Sequence, residues 1–188
     1  MEFPINNTHH DHNTYGITVP YSFAKSYMPI YPVDIKFAIH QGIFCNEAVG
    51  DYALDMLEQD SENSDTLIDL VLNYRNMVTE ELDSVLDTLQ RSRCTEPDLM
   101  KFCDLLLTWV YENQNLYPDP LLVAEFIYED FDAPTEVSEF IRYMPMQGCN
   151  LGSKELNEGR MMERWGPEHW MFPAQAPKSC AAPARIPI

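Results

Sequence analysis

The chain has 188 residues, a hydrophobic share of 45% and a formal net charge of −18 at pH 7. These values are typical of one globular domain and exclude an intrinsically disordered chain. No stretch approaches the roughly 20 consecutive apolar residues of a membrane-spanning helix, and the start, MEFPINNTHH, lacks the features of a secretory signal. We therefore expect a soluble, cytoplasmic protein, and its five widely spaced cysteines indicate reduced thiols.

The negative charge is concentrated in the middle of the chain. Residues 45–140 hold 23 acidic and 4 basic residues, out of 30 and 12 in the whole chain, so the remainder holds 7 and 8. Such a surface repels nucleic-acid phosphates and anionic lipids and attracts basic proteins. We expect a basic protein partner, with no nucleic acid and no membrane. An acidic surface that serves solubility alone is an equally consistent interpretation.

The first and last segments lack a helical or strand period. Residues 1–30 are rich in Asn, His, Tyr and Pro, which predicts a poorly ordered arm with one short strand at Gly16–Val19. Residues 169–188 are rich in Pro and Ala and predict a tail. The all-helical domain is expected between them, over residues 31–168.

The first half of this domain shows four amphipathic helical patterns. They cover residues 33–41, with Gly42 as a left-handed stop, then 46–58, 64–75, and a segment that begins at Thr79. The third and fourth patterns predict a helical hairpin, because only a few residues separate them.

The second half is marked by caps and prolines. Thr95 is expected to cap a strongly apolar central helix, and Asp119 with Pro120 to begin the next. A helix from Pro134 to about Met144 and a weaker one over residues 153–165 follow. The chain is therefore predicted to be all-α, with about eight short antiparallel helices in a single bundle or short helical array.

Motifs for catalysis, cofactors and metals are missing from the sequence. There is no nucleophile elbow, no phosphate-binding glycine-rich loop and no paired-cysteine motif. Residues 9–12, His-His-Asp-His, have metal-binding side chains, but adjacent residues on a flexible arm do not form a preorganised site. We expect no catalytic residue, no cofactor and no metal site.

Three carboxylates lie close together near Asp130, between two predicted helices. They suit an acid–base pair or a hard-cation site, but the residue types favour a structural role: Asp132 could cap the helix near Pro134, and Asp130 could pair with Arg142. Neighbouring acids and aromatics suit the recognition of a basic surface. The predicted partner-binding residues are Glu129, Asp130, Asp132, Tyr128, Tyr117 and Glu112.

Two blocks carry a family resemblance. Residues 127–134, IYEDFDAP, contain an Asp-Phe-x-x-Pro turn, and residues 140–145 read FIRYMP. Together they resemble a bacterial family known as domain of unknown function 2247, and the similarity extends back to about Val33. After Pro145 the chain departs from the family pattern at its closing helix. The resemblance implies a small stand-alone bacterial protein and transfers no activity or site residue.

The sequence supports three functions of different classes. The leading hypothesis is a non-enzymatic immunity-type protein that neutralises a basic, nuclease-like bacterial toxin through an acidic helical surface. The second is a carboxylate-based or metal-assisted enzyme centred near Asp130. The third is a structural or regulatory subunit.

Overall fold

The protein is all-α, as the sequence predicts. A computed structural model describes residues 11–59, 64–89, 96–145 and 149–165, and these residues contain no strand. Their eight α-helices are α1 (Tyr21–Tyr27), α2 (Pro32–His40), α3 (Glu47–Gln59), α4 (Ser64–Asn73), α5 (Thr79–Leu89), α6 (Leu99–Glu112), α7 (Pro120–Asp130) and α8 (Lys154–Arg164). Three short 3-10 helices cover Tyr74–Asn76, Gln114–Leu116 and Thr135–Phe140. No described helix combines the length and apolarity that crossing a membrane requires. The antiparallel arrangement stays a prediction.

Residues 11–30 of the predicted N-terminal arm are part of the fold. Ile17 and Val19 are buried in the core, and α1 buries Tyr21 and Ala24. The predicted strand does not form, because a single backbone bond, from the Val19 amide to the Ile43 carbonyl at 2.8 Å, joins this segment to its neighbour. Residues 11–20 thus pack as irregular backbone without a sequence period, and residues 21–27 form α1, where the sequence predicts a poorly ordered arm.

Helix α2 begins and ends where the sequence predicts. Pro32 occupies its first turn, and the Asp34 carboxylate accepts a hydrogen bond from the Tyr31 amide at 2.8 Å. Gly42 follows the helix with φ of 65°, the left-handed conformation that glycine adopts without strain. Asp34 is also buried against Lys101 of α6, with a 2.6 Å ion pair that joins the two helices.

The predicted hairpin of α4 and α5 does not form. Helix α4 packs most extensively on α3, while α5 packs on α2. Gly50 allows the ring of Tyr74 to lie against α3, because a Cβ at position 50 would come within 2.7 Å of that ring. The 3-10 helix at Tyr74–Asn76 then separates α4 from α5, whose acids reach Lys36 and His40 of α2.

Helix α6 is the centre of the core, as its apolar sequence predicts. All residues from Phe102 to Thr108 are buried, so the helix has neighbours on every side. Its N-cap is Asp98, whose carboxylate accepts from the Met100 amide at 3.2 Å. Thr95, the cap expected from sequence, lies outside the described residues.

The last part of the fold is less regular than predicted. Asp119 caps α7 and Ser153 caps α8, each through its side chain. The helix expected from Pro134 to Met144 is instead a 3-10 helix that ends at Phe140. Trp165, fully buried after α8, stacks on Phe140 with ring centroids 5.4 Å apart, which fixes α8 on this 3-10 helix. The predicted tail, 169–188, lies outside the described residues.

Candidate functional site

Asp130 anchors the N-terminal segment. One of its carboxylate oxygens accepts from the Thr14 amide at 2.7 Å and the other from the Thr14 hydroxyl at 2.6 Å. Burial raises the pKa of Asp130, and the bonds from Thr14 partly offset that rise. The predicted pairing with Arg142 is wrong, because that guanidinium binds other carboxylates. The geometry gives Asp130 a structural role.

His12 belongs to the same anchor. Its Nδ1 lies 2.7 Å from the Asp130 carbonyl oxygen, and its ring packs against Phe37 and Phe131 with centroids 5.7 and 5.2 Å away. His9 and His10, the other histidines of the predicted cluster, lie outside the described residues. Within the part of the chain that the structure describes, no group of three His, Cys, Asp or Glu side chains is arranged to hold a metal ion.

Asp132 does not cap the helix that follows it. The 3-10 helix has Pro134 at its cap position and no side-chain cap bond. Asp132 and Ala133 have positive φ of 60° and 55°, and the Ala133 amide donates to the Tyr128 carbonyl at 2.8 Å. This left-handed pair closes the end of α7, and the Asp132 side chain is exposed.

The other predicted partner-binding residues divide between surface and interior. Tyr128 is buried, and Tyr117 is half-buried with its ring edge-on to Tyr15 at 6.2 Å. Glu112 and Glu129 are exposed. The structure therefore does not bring the six residues together as one exposed acidic and aromatic surface.

Arg142 organises the surface beside α7. It pairs with Glu125 through its Nε at 2.8 Å, with Asp119 through Nη1 at 2.7 Å, and with Glu158 of α8 at 3.4 Å. The Glu125 hydrogen bonds, the largest influence, raise the pKa of Arg142. All three carboxylates are thus paired within the molecule. Because Glu125 lies in α7 and Glu158 in α8, Arg142 joins these two helices.

Tyr143 extends this surface with an exposed aromatic ring. It is 55% exposed, and its hydroxyl donates to the Glu129 carboxylate at 3.1 Å. Burial of the hydroxyl and the neighbouring Glu129 raise the pKa of Tyr143 to about 12, so it stays a neutral donor at physiological pH. Tyr143 is one of the aromatics that the sequence offers for a partner groove, but it is not among the six predicted partner-binding residues.

Helices α3, α4 and α5 contain no basic residue. They carry ten carboxylates: four in α3, two in α4 and four in α5. Within the described residues, Lys25 pairs with Asp55, and Lys36 pairs with Asp83 and Asp87. Three of the ten carboxylates are therefore paired, and the other seven have no ion pair to a described cation. They are Glu47, Asp51, Glu58, Asp65, Asp69, Glu80 and Glu81.

The outer side of α4 combines acids with exposed apolar side chains. We call Asp65, Ile68, Asp69 and Leu72 the α4 face. Ile68 is 47% and Leu72 71% exposed, although Leu67 and Leu70 on the opposite side are fully buried. The 3.6-residue helical period places the four residues of the face within about 100° around the helix axis.

One acidic group lies inside the protein. Asp104 of α6 is 7% exposed, and within the described residues its Oδ1 has no hydrogen-bond partner. Burial, followed by the nearby charges of Asp98 and Glu136, raises the pKa of Asp104 to about 8. The carboxyl group is therefore mainly protonated at neutral pH, which makes its burial less costly.

Fold and surface together define a small, acidic, all-α protein whose exposed carboxylates outnumber the cations available to them. The chain belongs to a bacterial family described as "Uncharacterized protein conserved in bacteria (DUF2247)", whose model matches residues 21–170. This match confirms the family that the resemblance named. Neither the search of curated proteins nor the search of solved structures found a match.

Proposed function

We propose that this protein is a non-enzymatic binding protein of the bacterial cytoplasm that neutralises a basic protein partner. In its most concrete form it is an immunity protein that occludes a basic, nuclease-like toxin. The observation that carries the proposal is the uncompensated negative charge of α3, α4 and α5, three helices without a basic residue and with seven carboxylates lacking ion pairs to described cations.

Such a surface has predictable effects on association. Unneutralised carboxylates on α3, α4 and α5 produce a negative potential that accelerates the encounter with a cationic protein. The attraction weakens as salt is added, because the Debye length shortens from about 10 Å at 0.1 M to about 3 Å at 1 M. A basic partner should therefore bind faster and more tightly at low ionic strength.

The contacts of Asp130 argue against the carboxylate-based enzyme. A general acid, general base or metal ligand needs a free oxygen facing its reactant. Both Asp130 oxygens instead accept hydrogen bonds from Thr14, and Asp132 lies exposed in a left-handed turn. The geometry therefore favours a structural role over catalysis at Asp130.

The proposal is tested by affinity capture from the source bacterium, followed by reconstitution with the purified partner. We expect a partner of high pI whose dissociation constant rises steadily with salt concentration. If the partner is a nuclease, an equimolar amount of this protein should abolish its activity. An acidic partner, or a dissociation constant that does not change with salt, would contradict the proposal.

A further inference from the structure

The α4 face is an amphipathic surface that the protein leaves uncovered. Ile68 and Leu72 lie one turn apart on the side of α4 that faces away from its buried residues. Asp65 and Asp69 flank them. Apolar residues inside a polar rim are the arrangement found at protein interfaces, and Ile68 and Leu72 with their flanking acids have this arrangement on a small scale.

Among the described residues, no cation pairs with the acids of this face. Asp69 accepts a hydrogen bond from Asn73 at 2.7 Å, and within the described residues neither Asp65 nor Asp69 forms an ion pair. The nearest cation along the chain is Arg75, whose Nε donates to the Tyr74 hydroxyl at 2.9 Å. The face therefore has both apolar area and negative charge to offer a partner.

We propose that the α4 face docks an amphipathic cationic segment of the partner. The segment's apolar side chains cover Ile68 and Leu72, and its Lys or Arg side chains pair with Asp65 and Asp69. This inference rests on the proposed function and specifies where the basic partner binds and what it presents there.

The negative charge of the α4 face favours a cationic protein segment over a second copy of the chain or an anionic membrane. A second copy of the chain would place Asp65 and Asp69 against the same acids, and like charges at an interface are unfavourable. An anionic membrane surface would be repelled for the same reason. A cationic protein segment satisfies both the apolar and the acidic residues of the face.

The surface beside α7 is the other acidic surface on which a cationic partner could bind. Its carboxylates, however, already pair with Arg142. Asp119, Glu125 and Glu158 surround Arg142, so a partner's cation would have to compete with that guanidinium. The Glu129 carboxylate likewise holds the Tyr143 hydroxyl. In the part of the chain that the structure describes, Asp69 accepts a hydrogen bond from Asn73, and neither Asp65 nor Asp69 pairs with a cation.

The test is a titration of the full chain, labelled with ¹⁵N, by a synthetic helical peptide of Leu and Lys with its apolar residues on one side. We expect chemical-shift changes to centre on residues 64–73. The matched peptide with Glu in place of Lys should produce none, because its charge has the wrong sign.

Two double substitutions then test whether binding depends on the α4 face itself or only on the negative charge of the whole protein. Ile68→Ser with Leu72→Ser should weaken binding of the Lys peptide roughly tenfold, because the apolar contact is lost. Leu122→Ser with Leu156→Ser provides the control on α7 and α8, where the leucines are 40% and 58% exposed. The control should change the affinity less than about twofold, in line with contacts outside the interface.

Shift changes spread over all acidic helices, equal effects of the two double substitutions, or no binding of the Lys peptide would each overturn the α4 docking site. Shift changes that depend on protein concentration without peptide would assign the face to self-association instead. The proposed function is judged separately, by the pI and salt dependence of the captured partner. It can therefore stand if the α4 site fails.

Discussion

Asp104 is the residue whose protonation should influence stability most. Its pKa is raised to about 8 in the folded protein by burial and by Asp98 and Glu136, whereas an aspartate in an unfolded chain titrates near pH 4. Between roughly pH 4 and pH 8 the folded state thus holds a proton that the unfolded state has released. The resulting stability is fully present below about pH 4 and is lost as the pH rises to about 8.

We predict that Asp104→Asn removes this part of the pH dependence. The variant should lose less stability than the parent between pH 5 and pH 8, and it should be the more stable of the two at pH 9. Urea unfolding followed by circular dichroism measures both quantities. Glu112→Gln, at an exposed position of the same helix, is the control and should retain the parent's profile. An unchanged profile for Asp104→Asn would show that Asp104 titrates normally.

At the scale of elements, the Arg142 cluster joins α7 to α8. Glu125 is 13% exposed and loses its charge partner when Arg142 is replaced. An unpaired, largely buried carboxylate is destabilising, so Arg142→Ala should lower the free energy of unfolding by about 2 kcal/mol. A double-mutant cycle with Glu125→Ala should give a favourable coupling energy.

Lys154→Ala provides the contrast, because Lys154 is 73% exposed and lies 3.7 Å from Glu158. Exposed pairs of this kind contribute little, so this substitution should have a much smaller effect than Arg142→Ala. Equal losses for the two substitutions, or an additive cycle between Arg142 and Glu125, would count against a stabilising cluster.

The helices were predictable wherever local chemistry determines them. Asp119 before Pro120, Ser153 before α8 and Gly42 after α2 mark helix ends as expected. Helix α1 was missed because the segment before it is irregular, although Tyr21 and Ala24 have helical spacing. The pairing of α4 with α3 depends on the close approach at Gly50, a tertiary contact without a local pattern.

At the scale of the whole molecule, composition predicted a binding protein but could not locate its surface. The acids are visible in the sequence, whereas the cations that neutralise them come from distant positions. Lys25 reaches Asp55, and Lys36 reaches Asp87, across 30 and 51 residues. The sequence likewise does not show that the Asp130 carboxylate is bound by Thr14, because the two residues are 116 positions apart. Locating the unneutralised acids requires the fold.

The most direct test of the account compares two variants with the same change in net charge. Asp65→Asn with Asp69→Asn alters the α4 face, and Glu112→Gln with Glu129→Gln alters exposed acids elsewhere; each pair takes the net charge from −18 to −16. We predict that, at low ionic strength, the first pair weakens binding of the basic partner roughly tenfold and the second less than about threefold. Equal weakening by both pairs would contradict a localised acidic docking surface.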